Sequence, residues 1–336
     1  MRPSQHRQRL LDLGLSYWQS KAFLTACSLR LFTLVNQGKD TVEKLSESAG
    51  LSQRGARILM DAMTSLKLLE KEGPRYKVAD EVEGFLVEGK REYLGDFFVA
   101  MNRIFYSPFL RFEEAVRTGK ALWSVDESGR HVPISREEGR LLAVATHHLR
   151  APAARALASR RSLRVRRHLL DVGGGSGAMA LALAAANPDL KITILDRPGV
   201  CEAARQNIEK AGLSHRVTAK GSDFFTEPLP EEADVHLFSN IFHNFGDEQC
   251  QSLLKKSFDA LTPGGELLVV DYVLEEDGVS PTFSSLFNLF ALVVMPQGGT
   301  RPYSVFREWL EEVGFVKIRR RRLDGASVLI EAQKPA

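Results

Sequence analysis

The sequence predicts an α/β chain: a Rossmann-like, doubly wound sheet with a C-terminal antiparallel hairpin, preceded by a mainly α winged-helix domain. Three observations carry that reading. From about residue 168, short apolar runs alternate with stretches of helical apolar spacing, the rhythm of a parallel sheet covered on both faces. "LLDVGGGSGA" at 169–178 sets a glycine cluster between an apolar run and an Ala-rich segment suited to a helix. Residues 41–80 read as helix, turn, helix and a short wing.

In chain order, residues 5–37 are expected to be helical, with apolar residues on one face. TVEKLSESAG (41–50) is the next helix. The stretch 51–73 follows as a turn and a helix that Ser52 would cap, because its hydroxyl can accept from an orphan N–H of the first turn. PRYKVAD is the wing. Further helices run to about residue 157, and RRSLRVRR (160–167) leads into the sheet. HLLDV, KITILD, RVTAKG, DVHLFS and ELLVVDYV read as its strands. FVKIRRRRL and ASVLIEAQK flank Asp324-Gly325, a hairpin signal, and the arginine run 319–322 is read as the solvated face of that hairpin.

Composition narrows the function classes. The 336 residues are 44% hydrophobic and 26% charged, as in a packed globular chain. A net charge of +3 argues for neither nucleic acid nor membrane as partner. Cys27, Cys201 and Cys250 are scattered without C-x-x-C spacing, which points away from disulfides and structural zinc and toward a reducing compartment. The N-terminus lacks a signal-peptide run, and the longest apolar stretch, LFNLFALVVM (286–295), is too short to span a bilayer. A cytoplasmic protein is expected.

The glycine loop admits two ligands. Gly173, Gly175 and Ala178 fit the dinucleotide pattern G-x-G-x-x-G/A, with Asp196 where a ribose-binding acid would stand. A pyrophosphate at such a loop is held by backbone N–H groups and the helix dipole, and Asp171 beside it would repel it. S-adenosyl-L-methionine has no phosphate and carries an ammonium and a sulfonium, which suit that carboxylate. Asp171, Asp196, Asp223 and Asp271 all fall at or just after strand C-termini, the ligand-binding edge of an open α/β sheet. Asp196 would accept both ribose hydroxyls. Asp223 would accept from the adenine amine, with Phe224 against the ring.

"LLDVGGGSG", "ILDRPGV", "GSDFF", "SNIFHNFGDE" and "LTPGGELLVVD" occur in the order and spacing of the class I methyltransferases. The chain more narrowly resembles small-molecule O-methyltransferases with an N-terminal winged-helix dimerisation domain. The resemblance implies a dimerisation domain over 1–105, connecting helices that contribute to the acceptor pocket over 106–160, and a cofactor-binding catalytic domain over 161–336. It implies a homodimer acting on a small-molecule acceptor, with S-adenosyl-L-homocysteine as product, and adds Arg197, Ser239 and Asn240 to the cofactor contacts.

In the same family the histidine of the motif matched by "FHNF" is the general base, here His243, and Asp271 matches the acid that orients it. A phenol is mostly protonated at neutral pH, so a positioned histidine is useful for methyl transfer to it. Two departures stand out. The family usually has an acid just after a Gly pair, where this chain reads "GGTRPYS", and Thr300, Arg301 and Pro302 supply no carboxylate. Asn244 replaces a common Asp beside the base. Relatives with such patterns include C- and N-methyltransferases and cofactor-binding proteins of altered chemistry, so the acceptor atom stays open between oxygen, carbon and nitrogen. The acceptor pocket is expected from Met101, Phe105, His147, Asn288 and Met295. His147 and His148 adjoin, but without clustered carboxylates no metal is expected. A DNA-binding, metabolite-sensing regulator is the rival from another class. Gln53, Arg54, Arg57 and Lys67 make a thin phosphate footprint for it.

Overall fold

A computed structural model describes residues 3–123, 135–161 and 163–336. The chain divides into two compact units, Met1–Ser107 and Pro108–Ala336. The first contains α1 (Pro3–Ser28), α2 (Leu31–Asn36), α3 (Val42–Ala49), α4 (Gln53–Ser65), β1 (Leu69–Glu72), β2 (Arg75–Val78), α5 (Asp80–Leu86) and α6 (Gly95–Ala100). A π-helical turn, Met101–Phe105, follows, and then α7 (Tyr106–Phe109).

Helix, turn, helix and wing are present, and the Ser52 hydroxyl accepts the Gly55 N–H at 3.1 Å as expected. Two details differ from the sequence reading. The single helix expected over 5–37 breaks at Arg30, which adopts a left-handed φ of 56°. Its guanidinium donates to the Tyr93 hydroxyl at 2.6 Å and pairs with Asp96 at 3.1 Å. The second helix ends at Ser65, because Leu69–Glu72 pairs antiparallel with Arg75–Val78. Gly73, at a φ of 58°, lies in the turn between them, and the buried Leu69, Tyr76 and Val78 hold the wing down.

The second unit contains α8 (Phe112–Thr118), α9 (Arg136–Arg160), β3 (His168–Val172), α10 (Ala178–Ala186), β4 (Lys191–Asp196), α11 (Pro198–Lys210), β5 (Val217–Gly221) and β6 (Val235–Ser239). It continues with α12 (Asp247–Ala260), β7 (Glu266–Leu274), α13 (Thr282–Val294), β8 (Arg301–Pro302), α14 (Tyr303–Val313), β9 (Val316–Asp324) and β10 (Ser327–Gln333). The strands run in the order β5-β4-β3-β6-β7-β10-β9. The first five are parallel and the hairpin is antiparallel. Every strand read from the sequence is there. All five residues of β6 are buried, as expected of a strand covered on both faces.

The two faces explain the apolar runs. Leu169, Ile192, Val235 and Leu237 pack with Leu157, Leu183, Ala204 and Ile208 of α9, α10 and α11 on one side. Leu170, Val172, Phe238 and Val269 pack with Leu253, Leu254, Phe306 and Leu310 of α12 and α14 on the other. The chain builds the sheet outward from β3 in one direction and from β6 in the other. The switch point therefore lies between the C-terminal ends of β3 and β6, where a crevice for a ligand opens in this architecture. At the far edge β9 exposes Arg319–Arg322, a charged edge of the kind that discourages strand addition.

Candidate active site

The loop after β3 is shaped by what surrounds it. Gly173, Gly175 and Gly177 all have positive φ, a conformation that glycine adopts without strain. A Cβ on Gly173 would lie 2.1 Å from Ile241 Cδ1, and one on Gly174 would lie 2.6 Å from Asp171 Oδ2. The backbone therefore runs directly over the Asp171 carboxylate and under Ile241, and no side chain fits there.

Asp171 is fully buried, and among the described residues neither of its carboxylate oxygens has a hydrogen-bond partner. Burial pushes its carboxyl up to about 7, while the Arg150 guanidinium pulls it down and Asp196 adds to the rise. An unpartnered buried carboxylate is costly, and a cationic ligand would answer it. Asp196, the last residue of β4, accepts the Gly175 N–H through Oδ2 at 2.9 Å and the Arg197 N–H through Oδ1 at 2.7 Å. It thus fixes the loop, and each oxygen keeps further acceptor capacity for a ribose. Asp223 is exposed and folds into a turn, accepting the Phe225 N–H at 3.0 Å. That bond helps hold its carboxyl below the usual range. Phe224 is buried and packs edge-on to Phe245. Ser239 and Asn240 end β6 in buried positions, and Asn240 has a φ of 56°. The Arg197 side chain is exposed at the start of α11.

Asp171, Gly173, Gly175, Asp196, Asp223, Phe224, Ser239 and Asn240 thus gather on one rim, as the sequence reading expects. Arg150 joins them and was missed. A Cβ on Gly175 would lie 3.6 Å from its Nη1. His147, expected in the acceptor pocket, is hydrogen-bonded to the glycine loop. Its Nδ1 lies 2.9 Å from the Ser176 hydroxyl, and Asn207 donates to the Ser176 carbonyl at 3.0 Å. Burial, with the charge of His148 adding, pushes the His147 imidazole down.

The second cluster lies past β6. His243 sits in a short 3-10 turn, Phe242–Asn244, and is buried. Its Nδ1 lies 2.5 Å from Asp271 Oδ1, and its backbone N–H points to Asp271 Oδ2 at 3.3 Å. Asp271 is 1% exposed in β7 and also accepts the Tyr272 N–H at 2.8 Å. With Nδ1 committed to the carboxylate, Nε2 is the nitrogen left to accept a proton. The Tyr272 ring stacks on the imidazole at 5.5 Å, and Phe287 meets it edge-on at 5.0 Å. Phe283, Phe287, Phe290 and Phe109 continue the aromatic row. Burial pushes the Tyr272 phenol up.

Asn288 turns toward Thr300, whose N–H it accepts at 2.7 Å. The Thr300 hydroxyl lies 3.0 Å from Asn288 Oδ1 and from the Ser284 carbonyl. Thr300, the first residue after the glycine pair, therefore binds α13. Gly298 lies between Met295 and the His243 turn: a Cβ there would come within 2.4 Å of the His243 carbonyl oxygen and 2.8 Å of Met295 Cβ. Met101 and Phe105 belong to the π-helical turn of the first unit. Tyr272 and Arg301 are absent from the sequence-read site. Tyr272 was legible as the neighbour of Asp271, whereas Arg301 carried no signal beyond the acid it fails to supply.

Comparison with known proteins agrees with this geometry. Residues 134–316 match the O-methyltransferase domain model and residues 11–86 the O-methyltransferase dimerisation domain model. The 3-hydroxy-5-methyl-1-naphthoate 3-O-methyltransferase of Streptomyces sahachiroi is 30% identical over 316 residues, covering 92% of this chain and 90% of that protein. The N,N-dimethyltransferase OxyT of Streptomyces rimosus is 29% identical over 339 residues, covering 99% and 98%. The crystal structure of human N-acetylserotonin methyltransferase in complex with S-adenosylmethionine superposes with a TM-score of 0.90 at 26% identity, covering 100% of both chains.

Proposed function

The chain belongs to the O-methyltransferase family, with S-adenosylmethionine as its cofactor, and on that premise we propose that it methylates a phenolic hydroxyl of a small aromatic metabolite with His243 as general base. The observation that carries this reading is the His243–Asp271 hydrogen bond of 2.5 Å, set among Tyr272 and Phe287. When bound, the cofactor supplies an electrophilic methyl carbon on a sulfonium and departs as a neutral thioether. Asp171 would face its ammonium, Arg150 its carboxylate, Asp196 its ribose and Asp223 its adenine.

The remaining chemistry belongs to the chain. A flat phenol stacks along the row of Tyr272, Phe283 and Phe287, which favours an aromatic acceptor over an aliphatic one. His243 Nε2 takes the hydroxyl proton. Asp271 holds the opposite edge of the ring in the right tautomer and stabilises the imidazolium that results. The low exposure of the base keeps water from competing for it. The naphthoate acceptor named for the Streptomyces sahachiroi relative is of this class, and Asn288 on α13 and Met295 at its C-terminal cap would line the pocket for it.

Incubation with methyl-labelled cofactor and a panel of hydroxylated and aminated naphthalenes tests the reading. Mass spectrometry should find the label on oxygen. Label confined to nitrogen, as the name of the OxyT relative would suggest, or to carbon would overturn it.

We also propose that the dimerisation domain makes a homodimer through α1, where Leu10, Leu13, Tyr17 and Trp18 are 57–71% exposed. Such an apolar stripe seeks a partner. Light scattering that returned a monomer at micromolar concentration would contradict this.

A further inference from the structure

We propose that Arg301 is a positioning residue for His243: its guanidinium fixes the turn that carries the imidazole. The inference rests on the reading of His243 as the base. Arg301 Nη1 donates to the carbonyls of Phe242 at 3.1 Å and Gly299 at 3.0 Å, and Nη2 donates to Phe245 at 2.7 Å. Phe242 opens the turn and Phe245 follows it, so the guanidinium grips both ends of the segment bearing His243. Gly299 in turn donates its N–H to the His243 carbonyl at 2.8 Å.

The grip is itself braced. Arg301 Nε donates to Asp247 Oδ1 at 2.7 Å, and the guanidinium lies 5.2 Å over the Trp309 ring. The side chain is only 11% exposed. The backbone of Arg301 pairs with Val273 in β7, the strand that carries Asp271. One residue therefore ties the turn of the base to the strand of its orienting acid. The imidazole is held from both sides, by Asp271 on its ring and backbone N–H, and by Arg301 on the neighbouring carbonyls.

The chemistry requires arginine. Three carbonyl oxygens and a carboxylate around one planar fork match the fixed N–H directions of a guanidinium. A lysine ammonium would preserve the charge and reach only part of that set. The position that lacks the family's usual carboxylate is thus occupied by a group that acts on the backbone of the base rather than on its ring.

A double-mutant cycle on the full-length chain, saturated with cofactor, tests this. Arg301→Lys should lower kcat by up to about 10²-fold, the order of loss that small misplacement of a reacting group produces. The KM for S-adenosylmethionine should stay close to wild type, while the melting temperature should fall modestly because some of the carbonyls lose their donor. His243→Ala alone should lower kcat by about 10²–10⁴-fold, and Arg301→Lys added to it should cost nothing further, because there is no imidazole left to position. Asp247→Asn, which loosens the brace without removing the fork, should cause a smaller loss of kcat that likewise vanishes in the His243→Ala background. Losses that multiply in the double variants, or unchanged kcat in Arg301→Lys, would overturn the positioning role while leaving His243 as base. Near-normal turnover by His243→Ala would overturn both.

Discussion

The two halves of the sheet's binding edge are built in different ways. On the β3–β4–β5 side, the groups meant for the cofactor sit at or just past strand ends, and the Gly173–Gly177 loop lies over Asp171 while Asp196 holds Gly175. Here strand ends and one tight loop define the site. On the β6–β7 side, the proposed base, its acid, the aromatic wall and the arginine fork come from His243, Asp271, Phe287 and Arg301, side chains carried by a turn, a strand, a helix and a two-residue strand. The proposed cofactor half is a template of backbone and carboxylates. The proposed acceptor half is an assembly of side chains on a turn, two strands and a helix. Binding of the cofactor and handling of the acceptor should therefore separate under mutation.

The largest expected effect lies on the acceptor side, in turnover, on loss of His243, as set out above. A smaller and qualitatively different effect is expected on the template side, at Asp171. Its carboxyl sits at about 7 in the folded chain against about 4 unfolded. The folded state holds this proton more tightly, so the group's contribution to stability is fully present below about pH 4 and is lost as pH rises through 7. Ligand-free Asp171→Asn should then melt higher than wild type at pH 8 and match it more closely at pH 5. Its affinity for S-adenosylmethionine should be lower at pH 8, since the carboxylate proposed to face the ammonium is gone. A variant that is both less stable at pH 8 and unchanged in cofactor affinity would place Asp171 outside the template.

Legibility in the sequence depended on how local each signal was. The strands, the hairpin, the glycine loop and the acids near the strand ends were readable because period, glycine and strand-end position are local signals. His243 and Asp271 were readable as matches to family motifs, and the structure puts them in contact. The bond of His147 to Ser176 was not legible, because a helical histidine shows nothing of which loop it will meet. The bond from the Thr300 N–H to the Asn288 oxygen was likewise not legible. Arg301 was seen only as a missing acid, since a guanidinium that binds backbone carbonyls leaves no pattern in side-chain types. The break at Arg30 and the early end of α4 escaped for the related reason that tertiary pairing overrode helical spacing.

Titration calorimetry of S-adenosylhomocysteine into His243→Ala tests the separation of the two halves most directly. The account predicts wild-type affinity, within about twofold, in a protein that has lost its turnover, because the imidazole is tied to Asp271 and the aromatic row rather than to the glycine loop. A fall in affinity comparable to the fall in turnover would contradict it, and would mean that base and cofactor template form one coupled site.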